Sequence, residues 1–245
     1  MRVENEAVLP ARTFPADLFG ARPESFLRRA GGRETFRWSD GEFGPVIVKR
    51  LPGRGGRREH DNLEALRARG LPVPRPIAWA QEGSRAPFGG PVRSLVVMEE
   101  IEHRETLRDR LRHSDASERR RWSAELLLVV ARLHGGGWHH RDLYLQHFLL
   151  QPEGETSRLV MIDVGRARRD PFARRRWHVK DLAALRHSCP ASVGDREQLR
   201  FLSRYLDLRG IAGRAARSAL ARAVVVKAGR IARHVPRDER AETRA

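Results

Sequence analysis

The order of hydrophobic patterns along the chain is the feature that most limits its fold. Up to about residue 101, short apolar stretches are separated by turn signals, whereas later apolar residues recur at helical spacing. The first part predicts five strands and one helix, at 26–30, 34–38, 45–50, 57–69, 77–81 and 94–100. We therefore expect a bilobal α+β fold, in which a small β-rich lobe precedes a larger and mainly helical lobe.

The same patterns predict the domain boundaries. We expect an irregular N-terminal lead-in over residues 1–24, an N-lobe over 25–101, a C-lobe over 102–235 and a frayed tail over 236–245. Within the C-lobe, a strand pair is predicted at 148–151 and 158–164. Helices are predicted at 106–113, 117–134, 179–188, 195–208 and 215–234, with Ser117 as the N-cap of the second of them.

Composition places the chain among soluble globular proteins. Of its 245 residues, 40% are hydrophobic and 32% are charged. The apolar run at 126–131 is too short to span a bilayer, and the N-terminus lacks the apolar core of a signal peptide, so we expect a cytoplasmic protein. The single cysteine, Cys189, excludes a disulfide within the chain and suits a reducing compartment.

Lysine is rare in this strongly basic chain. The net charge is +17, and only three of the 48 Lys and Arg residues are lysines, namely Lys49, Lys180 and Lys227. Such a bias is expected from genome composition, because Arg and Lys are equivalent on most solvated surfaces. A retained lysine can mark a position that needs a compact ammonium group, although chance is an equally open explanation for each one.

The stretch GWHHRDLYLQHFLL, residues 137–150, combines three histidines with an arginine and an aspartate. A zinc site is disfavoured because neither a His-x-x-x-His pair nor a cysteine pair is present. A structural histidine cluster and a catalytic loop remain. The run from His140 to Leu143 matches the H-R-D-L that begins a kinase catalytic loop. The match gains specificity because Lys49 ends the third predicted strand and Asp163-Val164-Gly165 stands where D-F-G is expected.

Phosphoryl transfer would explain these residue types. Lys49 is expected to hold the α- and β-phosphates of ATP, and Glu59 or Glu64 on the following helix is expected to pair with it. Asp163 would bind the metal that bridges the phosphates, and Asp142 would accept the proton of the attacking hydroxyl. The turn at Gly31-Gly32 would lie over the phosphates. Each residue also has a plain alternative as a surface or turn residue.

A family resemblance rests on several of these segments. The stretch HHRDLYLQHFLL resembles the catalytic loop of the lipopolysaccharide core heptose kinases, which reads H-R-D-x-Y-x-x-H-F-L-L. The related 3-deoxy-octulosonic acid kinases share much of the pattern. The resemblance runs from about residue 25 to 190, and its other segments are GRET at 32–35, VIVKR at 46–50, Glu59, GLPVPRP at 70–76, MIDVGRAR at 161–168 and RWHVKDLAALRHSC at 176–189.

The resemblance implies a protein-kinase-like fold and an ATP- and Mg²⁺-dependent phosphotransferase whose acceptor is an alcohol group, most simply a heptose hydroxyl of the lipopolysaccharide inner core. It assigns the residues as follows: Asp142, Arg141 and His140 to catalysis, Lys49, Glu59, Gly31, Gly32, Arg33 and Glu99 to nucleotide binding, and Asp163 and His147 to metal binding.

Three further points follow from the resemblance. Imidazole is a poor ligand for Mg²⁺, so His147 could instead contact phosphate or orient Asp142. Asp181 resembles a buried aspartate that accepts hydrogen bonds from the catalytic-loop backbone. Val164-Gly165 replaces the bulkier residues usual in the family, which leaves the conformation of the activation segment open.

The expected partner is a lipid-linked glycan or lipopolysaccharide core acceptor, met at the inner face of the inner membrane. An anionic membrane surface is a further candidate, through arginine clusters at 119–121, 168–169 and 174–176. Nucleic acid is not expected, because aromatic residues are sparse and no reader motif is present. The alternatives are a kinase for a protein or small-molecule acceptor and an inactive pseudokinase, which the presence of Lys49, Asp142 and Asp163 disfavours.

Overall fold

The computed structural model describes residues 18–23, 25–40, 44–83, 91–170, 172 and 175–233. The chain divides into two compact units. The first runs up to Glu102 and includes Val160–Arg166, and the second comprises His103–Leu159 and the chain from Ala167 onward. Most of the predicted lead-in and all of the predicted tail lie outside the described residues.

The first unit contains a five-stranded antiparallel sheet and one helix. The strands lie in the order β1-β2-β3-β5-β4. The five strands and the helix predicted from the sequence are all present, with bounds that differ by at most two residues: β1 Phe26–Ala30, β2 Arg33–Asp40, β3 Gly44–Pro52, α1 Gly55–Arg67, β4 Pro76–Glu82 and β5 Arg93–Glu99.

Alternation along β3 decides which side chains enter the core of the first unit. Val46 and Val48 are buried, and they pack in a cluster with Phe36 and Val97. Lys49 follows Val48 and therefore points to the opposite face of the sheet. Helix α1 covers this opposite face of the sheet at β4 and β5. Strand β5 is therefore buried on both faces, which explains its nearly continuous run of apolar residues.

Helix α1 lies close to β5 because Gly56 has no side chain. A Cβ atom at this position would overlap the backbone carbonyl of Leu95. The backbone N–H of Gly56 donates to the hydroxyl of Ser94 at 2.8 Å, and that hydroxyl donates to the carbonyl of Gly53 at 2.6 Å. These contacts fix the start of α1, and with it the position of Glu59 one turn later.

The described part of the second unit is mainly helical. Strands β6 and β9 pair with each other, as do β7 and β8, and the last two residues of β8 belong to the first unit. Its elements are α2 Leu107–His113, α3 Ala116–Gly135, β6 Trp138–His139, β7 Phe148–Glu153, β8 Thr156–Met161, β9 Arg168–Arg169, α4 Arg175–Ser188, α5 Asp195–Leu208 and α6 Arg214–Ala232. None of the helices in the described ranges is long and apolar enough to cross a bilayer.

One predicted helix cap and one predicted strand end in this part of the chain are wrong. The N-cap of α3 is Asp115 rather than Ser117, because the Asp115 carboxylate accepts the backbone N–H groups of Ser117 at 2.7 Å and Glu118 at 2.8 Å. The strand predicted at 158–164 ends at Met161, since Asp163 has a φ of 59° and Val164–Arg166 form a 3₁₀ turn. Helix α5 has the predicted bounds.

Candidate active site

Lys49, Glu59 and Asp163 form one group within the first unit. The ammonium of Lys49 donates to Glu59 Oε1 at 2.5 Å and to Asp163 Oδ1 at 3.4 Å. The side chains of Lys49 and Glu59 are 14% and 4% exposed, whereas that of Asp163 is 43% exposed. The predicted partner Glu59 is therefore the one that Lys49 contacts, and Glu64 is exposed on α1.

The charge of Lys49 is secured by its two carboxylate neighbours. Burial alone would lower the pKa of Lys49, but the attraction of Glu59 and Asp163 outweighs it, so the pKa lies above the ordinary value for lysine. The ammonium therefore remains charged at neutral pH. A fixed cation next to an accessible carboxylate is an arrangement that can hold a polyphosphate together with a divalent cation.

Helix α1 also holds the segment that carries Asp163. The side-chain amide of Asn62 donates to the Val164 carbonyl, and the guanidinium of Arg58 donates to the Gly165 carbonyl, both at 2.8 Å. Sequence reasoning missed both residues. Asn62 lies three residues after Glu59 and shares its helix face, and this spacing is the signal that could have identified it.

Gly165 is the residue that allows this packing. A Cβ atom at Gly165 would lie 2.7 Å from Glu59 Oε2, closer than side chains approach one another. The small residue after Val164 thus gives the carboxylate of Glu59 room to reach Lys49. The departure from bulkier residues noted in the sequence has a defined structural role in the first unit.

The remaining predicted nucleotide residues lie at the edges of the sheet in the first unit. Gly31 and Gly32 have φ values of 55° and 71° and form a two-residue hairpin turn between β1 and β2, which only glycine adopts without strain. Arg33 follows the turn and is exposed. Glu99 Oε1 accepts the backbone N–H of Arg75 at 2.7 Å, so this carboxylate has a partner just before β4. Nucleotide contacts of these residues remain predictions.

In the second unit, the catalytic-loop backbone is anchored on Asp181 of α4. The backbone N–H groups of His140 and Arg141 donate to the two carboxylate oxygens of Asp181, each at 2.7 Å. Asp181 is fully buried, as the resemblance implies. The two hydrogen bonds hold Arg141 at a φ of 76°, a conformation that non-glycine residues adopt only where the surroundings enforce it.

Asp181 stays ionised despite its burial. Burial by itself would raise the pKa of its carboxyl group, but hydrogen bonds from His134 and from the His140 backbone lower it, and the net shift is downward. His134 Nε2 lies 3.3 Å from the Asp181 carboxylate, and its Nδ1 lies 2.7 Å from the Tyr205 hydroxyl. This buried chain was not foreseen from the sequence, because its two contacts join residues that are 47 and 71 positions apart.

Asp142 lies at the accessible end of the same loop. Its side chain is 18% exposed, and Asp142 Oδ1 lies 3.8 Å from the ammonium of Lys180. His147 Nδ1 lies 2.9 Å from the Asp142 carbonyl, and it must be the donor because a carbonyl only accepts. His147 was predicted to bind metal, to contact phosphate or to orient Asp142, and this contact is consistent with the last of these roles. A role in metal binding remains a prediction.

The other loop histidines are packed inside the second unit. The ring of His139 stacks on Trp177 with centroids 4.7 Å apart and an interplanar angle of 2°. Burial lowers the pKa of His139, which favours the neutral ring. His140 is fully buried, 6.1 Å from the ring of His147. In the ranges that the structure describes, no three His, Cys, Asp or Glu side chains are grouped to hold a metal ion.

The predicted site residues thus fall into two groups, one in each unit. Lys49, Glu59 and Asp163 meet in the first unit, and Asp142 and His147 meet in the second, where Asp181 and Lys180 join them. That the two groups serve one reaction remains a prediction.

Comparison with known proteins gives consistent matches over this part of the chain. The lipopolysaccharide kinase (Kdo/WaaP) family matches residues 46–205, which include both groups of site residues. A lipopolysaccharide core heptose(I) kinase WaaP from Pseudomonas aeruginosa is 33% identical over 65% of this chain and 62% of its own length. A 3-deoxy-D-manno-octulosonic acid kinase from Stenotrophomonas maltophilia is 28% identical over 81% of this chain and 84% of its own.

A solved structure has a similar fold. The structure of WaaP in complex with acyl carrier protein superimposes with a TM-score of 0.68 and 27% identity, over 84% of this chain and 88% of that one. The predicted α+β, protein-kinase-like fold is thereby confirmed. The match to the Pseudomonas relative spans less than two thirds of that protein's length. The family match over residues 46–205 contains every segment that carries a predicted catalytic or metal residue. From the matched segments and the fold together, the chain belongs to the lipopolysaccharide kinase (Kdo/WaaP) family.

Proposed function

We propose that this chain is an ATP-dependent kinase that phosphorylates a sugar hydroxyl, with a heptose of the lipopolysaccharide inner core as the acceptor. The observation that carries the proposal is the contact of Lys49 with Glu59 and Asp163. It places a permanent cation and an accessible carboxylate side by side, as the handling of a metal-bound triphosphate requires. The presence of Lys49 together with the carboxylates of Glu59 and Asp163 argues against a pseudokinase.

Lys49, Glu59 and Asp163 each have a distinct role in nucleotide binding. Lys49 pairs with the α- and β-phosphates, and Glu59 keeps the ammonium in place. Asp163 offers carboxylate oxygens, the donors that Mg²⁺ prefers, and its 43% exposure leaves them accessible. Bound Mg²⁺ would neutralise charge on the phosphate oxygens. His147 suits Mg²⁺ less well, since it offers only an imidazole nitrogen.

The transfer step falls to Asp142. Its carboxylate accepts the proton of the acceptor hydroxyl while that oxygen forms a bond to the γ-phosphorus and the bond from the γ-phosphorus to the leaving oxygen of ADP breaks. Asp181 positions the loop through the backbone N–H groups of His140 and Arg141. Lys180 positions the carboxylate of Asp142 from the side.

The acceptor class is supported by what the relatives are named. One is named a lipopolysaccharide core heptose(I) kinase and another a 3-deoxy-D-manno-octulosonic acid kinase, so both names give a sugar as the acceptor. We propose a cytoplasmic enzyme that meets its lipid-linked acceptor at the inner face of the inner membrane. The net charge of +17 supports attraction to anionic lipid and glycan there.

The test is direct phosphorylation of a defined glycan. The protein is incubated with ATP, Mg²⁺ and enzymatically dephosphorylated lipopolysaccharide core, and the glycan is analysed by mass spectrometry. We expect a gain of one phosphate on a heptose, and a core truncated before the heptoses serves as the matched control acceptor. Phosphate on the truncated core would assign a different sugar. ATP binding without transfer to either glycan would favour a binding module.

A further inference from the structure

A wide basic groove lies between α4 and α6 of the second unit. Its volume is about 600 Å³, within the range of small-molecule sites and large enough for a sugar. Helices α4 and α6 pack along their length, so the groove has walls of regular structure rather than loops. Its lining residues are Arg175, Arg176, Trp177, Val179, Lys180, Ala223, Val226, Lys227 and Arg230.

The groove carries one sign of charge. Five of its nine lining residues are cations, and within the described part of the chain no aspartate or glutamate lines it. Cations gathered along concave walls focus a positive potential, which attracts anions into the groove.

Two of the three lysines of the chain line this groove. Lys180 faces it from α4 and Lys227 from α6, and both are half-buried. In a chain that uses arginine at nearly every other basic position, this coincidence indicates a need for a compact ammonium group. Lys227, which no motif of the catalytic machinery includes, thereby acquires a place beside Lys180.

One lining residue of the groove contacts the predicted general base. Lys180 lines the groove, and its Nζ lies 3.8 Å from Asp142 Oδ1. A ligand whose anionic group lies against Lys227 and Arg230 would therefore extend toward Asp142 past Lys180. Through Lys180 the groove is linked to the predicted general base, which a basic surface patch remote from Asp142 would not be.

We propose that the groove between α4 and α6 is the subsite that binds carboxylate or phosphate groups of the acceptor glycan, next to the sugar whose hydroxyl is phosphorylated. The inference rests on the proposed function and deepens it, because it names the anionic part of the acceptor as the recognised feature. A lipid headgroup carries the same phosphate chemistry, but a concave site whose lining residue Lys180 contacts Asp142 fits a glycan better than a planar membrane surface.

Steady-state kinetics with two variants tests the subsite. In Lys227→Gln/Arg230→Gln, we expect the KM for lipopolysaccharide core to rise by roughly tenfold or more, as loss of two charge-assisted contacts would cause, with a much smaller change in kcat. The control Arg222→Gln removes an exposed cation of α6 that does not line the groove, and it should leave both constants unchanged. Equal effects in both proteins would overturn the proposal, since a general charge effect would then suffice.

Binding without ATP separates the subsite from the proposed activity. Deacylated lipopolysaccharide core, and the same oligosaccharide with its phosphates removed and its carboxyl groups reduced, are titrated into wild-type protein and the double variant by calorimetry. We expect the charged oligosaccharide to bind the wild-type protein at least tenfold more tightly than the double variant, and the neutral one to bind both weakly and equally. That result without any phosphate transfer would sink the proposed function alone, whereas transfer with unchanged charged-oligosaccharide affinity would sink the subsite alone.

A vesicle-binding experiment tests whether the anionic group that the groove binds belongs to a glycan or to a lipid. Phosphatidylglycerol vesicles are sedimented with the wild-type protein and the double variant. We expect the two proteins to bind the vesicles alike, because charge outside the groove supplies that attraction. If the double variant loses vesicle binding while keeping the wild-type affinity for the deacylated oligosaccharide, the groove is a membrane contact and the glycan subsite is rejected.

Discussion

Glu59 is confined from two directions within the first unit. Its carboxylate pairs with Lys49 at 2.5 Å on one side, and on the other it occupies the space left by the missing side chain of Gly165. The side chain is only 4% exposed, so it has little room to adopt another rotamer. The position of the Lys49 ammonium therefore depends on Gly165, because the missing side chain of this residue leaves room for the Glu59 carboxylate.

Replacement of Gly165 should break the contact between Glu59 and Lys49. In Gly165→Ala, the new methyl group would lie 2.7 Å from Glu59 Oε2, and Glu59 must move away from Lys49. We expect ATP affinity to fall by about tenfold, since loss of one charge-assisted contact is of this order. The matched control is Gly229→Ala on α6, where a methyl group meets nothing within 4 Å. Equal ATP affinities in the two variants, measured by calorimetry, would show that Glu59 does not position Lys49.

At this scale, the sequence predicted the charged residues better than the residues that position them. Lys49 and Asp163 follow from the order of motifs, because their chemistry restricts the residue type. The choice of Glu59 over Glu64 came from the resemblance to the family. Arg58 and Asn62 were missed, since each donates one side-chain hydrogen bond to a backbone carbonyl that any sequence could supply. Such contacts depend on the path of the backbone around Asp163, which periodicity does not reveal.

Helix α4 organises the second unit around the predicted catalytic loop. Asp181 anchors the loop backbone, Lys180 approaches Asp142, and His178 stacks on His134 with ring centroids 4.5 Å apart. Burial, and then the nearby charge of His134, lower the pKa of His178 to about 4. A single helix therefore combines the loop anchor with a histidine that must stay neutral for the packing to persist.

The stability of the protein should fall in acid because of this histidine. The folded pKa of about 4 lies below the ordinary value of 6.5, so below pH 6.5 the unfolded chain binds a proton that the folded chain refuses. We expect the melting temperature to decrease as the pH falls from 6.5 to about 4. His178→Gln, which cannot titrate, should flatten the decrease, whereas the exposed control His113→Gln should not. If the melting temperatures of all three proteins decreased equally between these pH values, His178 would not be the cause of the acid sensitivity.

Predicted element boundaries failed where a tertiary contact or cap decides them. Helix α4 begins at Arg175, four residues before the predicted start, so the aromatic ring of Trp177 becomes part of its first turn and stacks on His139. Residues that pack against another segment can extend a helix beyond its amphipathic pattern. Helix α5, by contrast, has the predicted bounds, since its start is specified locally by Gly194 and Glu197.

Across the whole molecule, chain connectivity brings distant segments into one unit. Residues 160–166 belong to the first unit although 57 residues of the second precede them, and this return places Asp163 within 3.4 Å of Lys49 across 114 positions. The order of motifs along the sequence predicted both residues and the α+β class. The resemblance to the family supplied the pairing between them, since no local pattern encodes a contact over such a separation.

The distribution of roles between the two units leads to the most direct test of the proposed activity. If Asp142 accepts the hydroxyl proton, Asp142→Asn removes the base with little change in size. Loss of a general base costs roughly 10²–10⁴-fold in rate. If Asp163 holds the metal on the nucleotide, Asp163→Asn weakens Mg²⁺-dependent ATP binding as well.

The decisive measurement compares phosphate transfer to the lipopolysaccharide core with ATP affinity in Asp142→Asn. We predict that transfer falls by at least about a hundredfold while the Kd for ATP stays within about twofold of the wild-type value. Asp163→Asn, examined alongside, should lose both. Wild-type transfer by Asp142→Asn would contradict the assignment, and residues 137–150 would then be a structural histidine cluster rather than a catalytic loop.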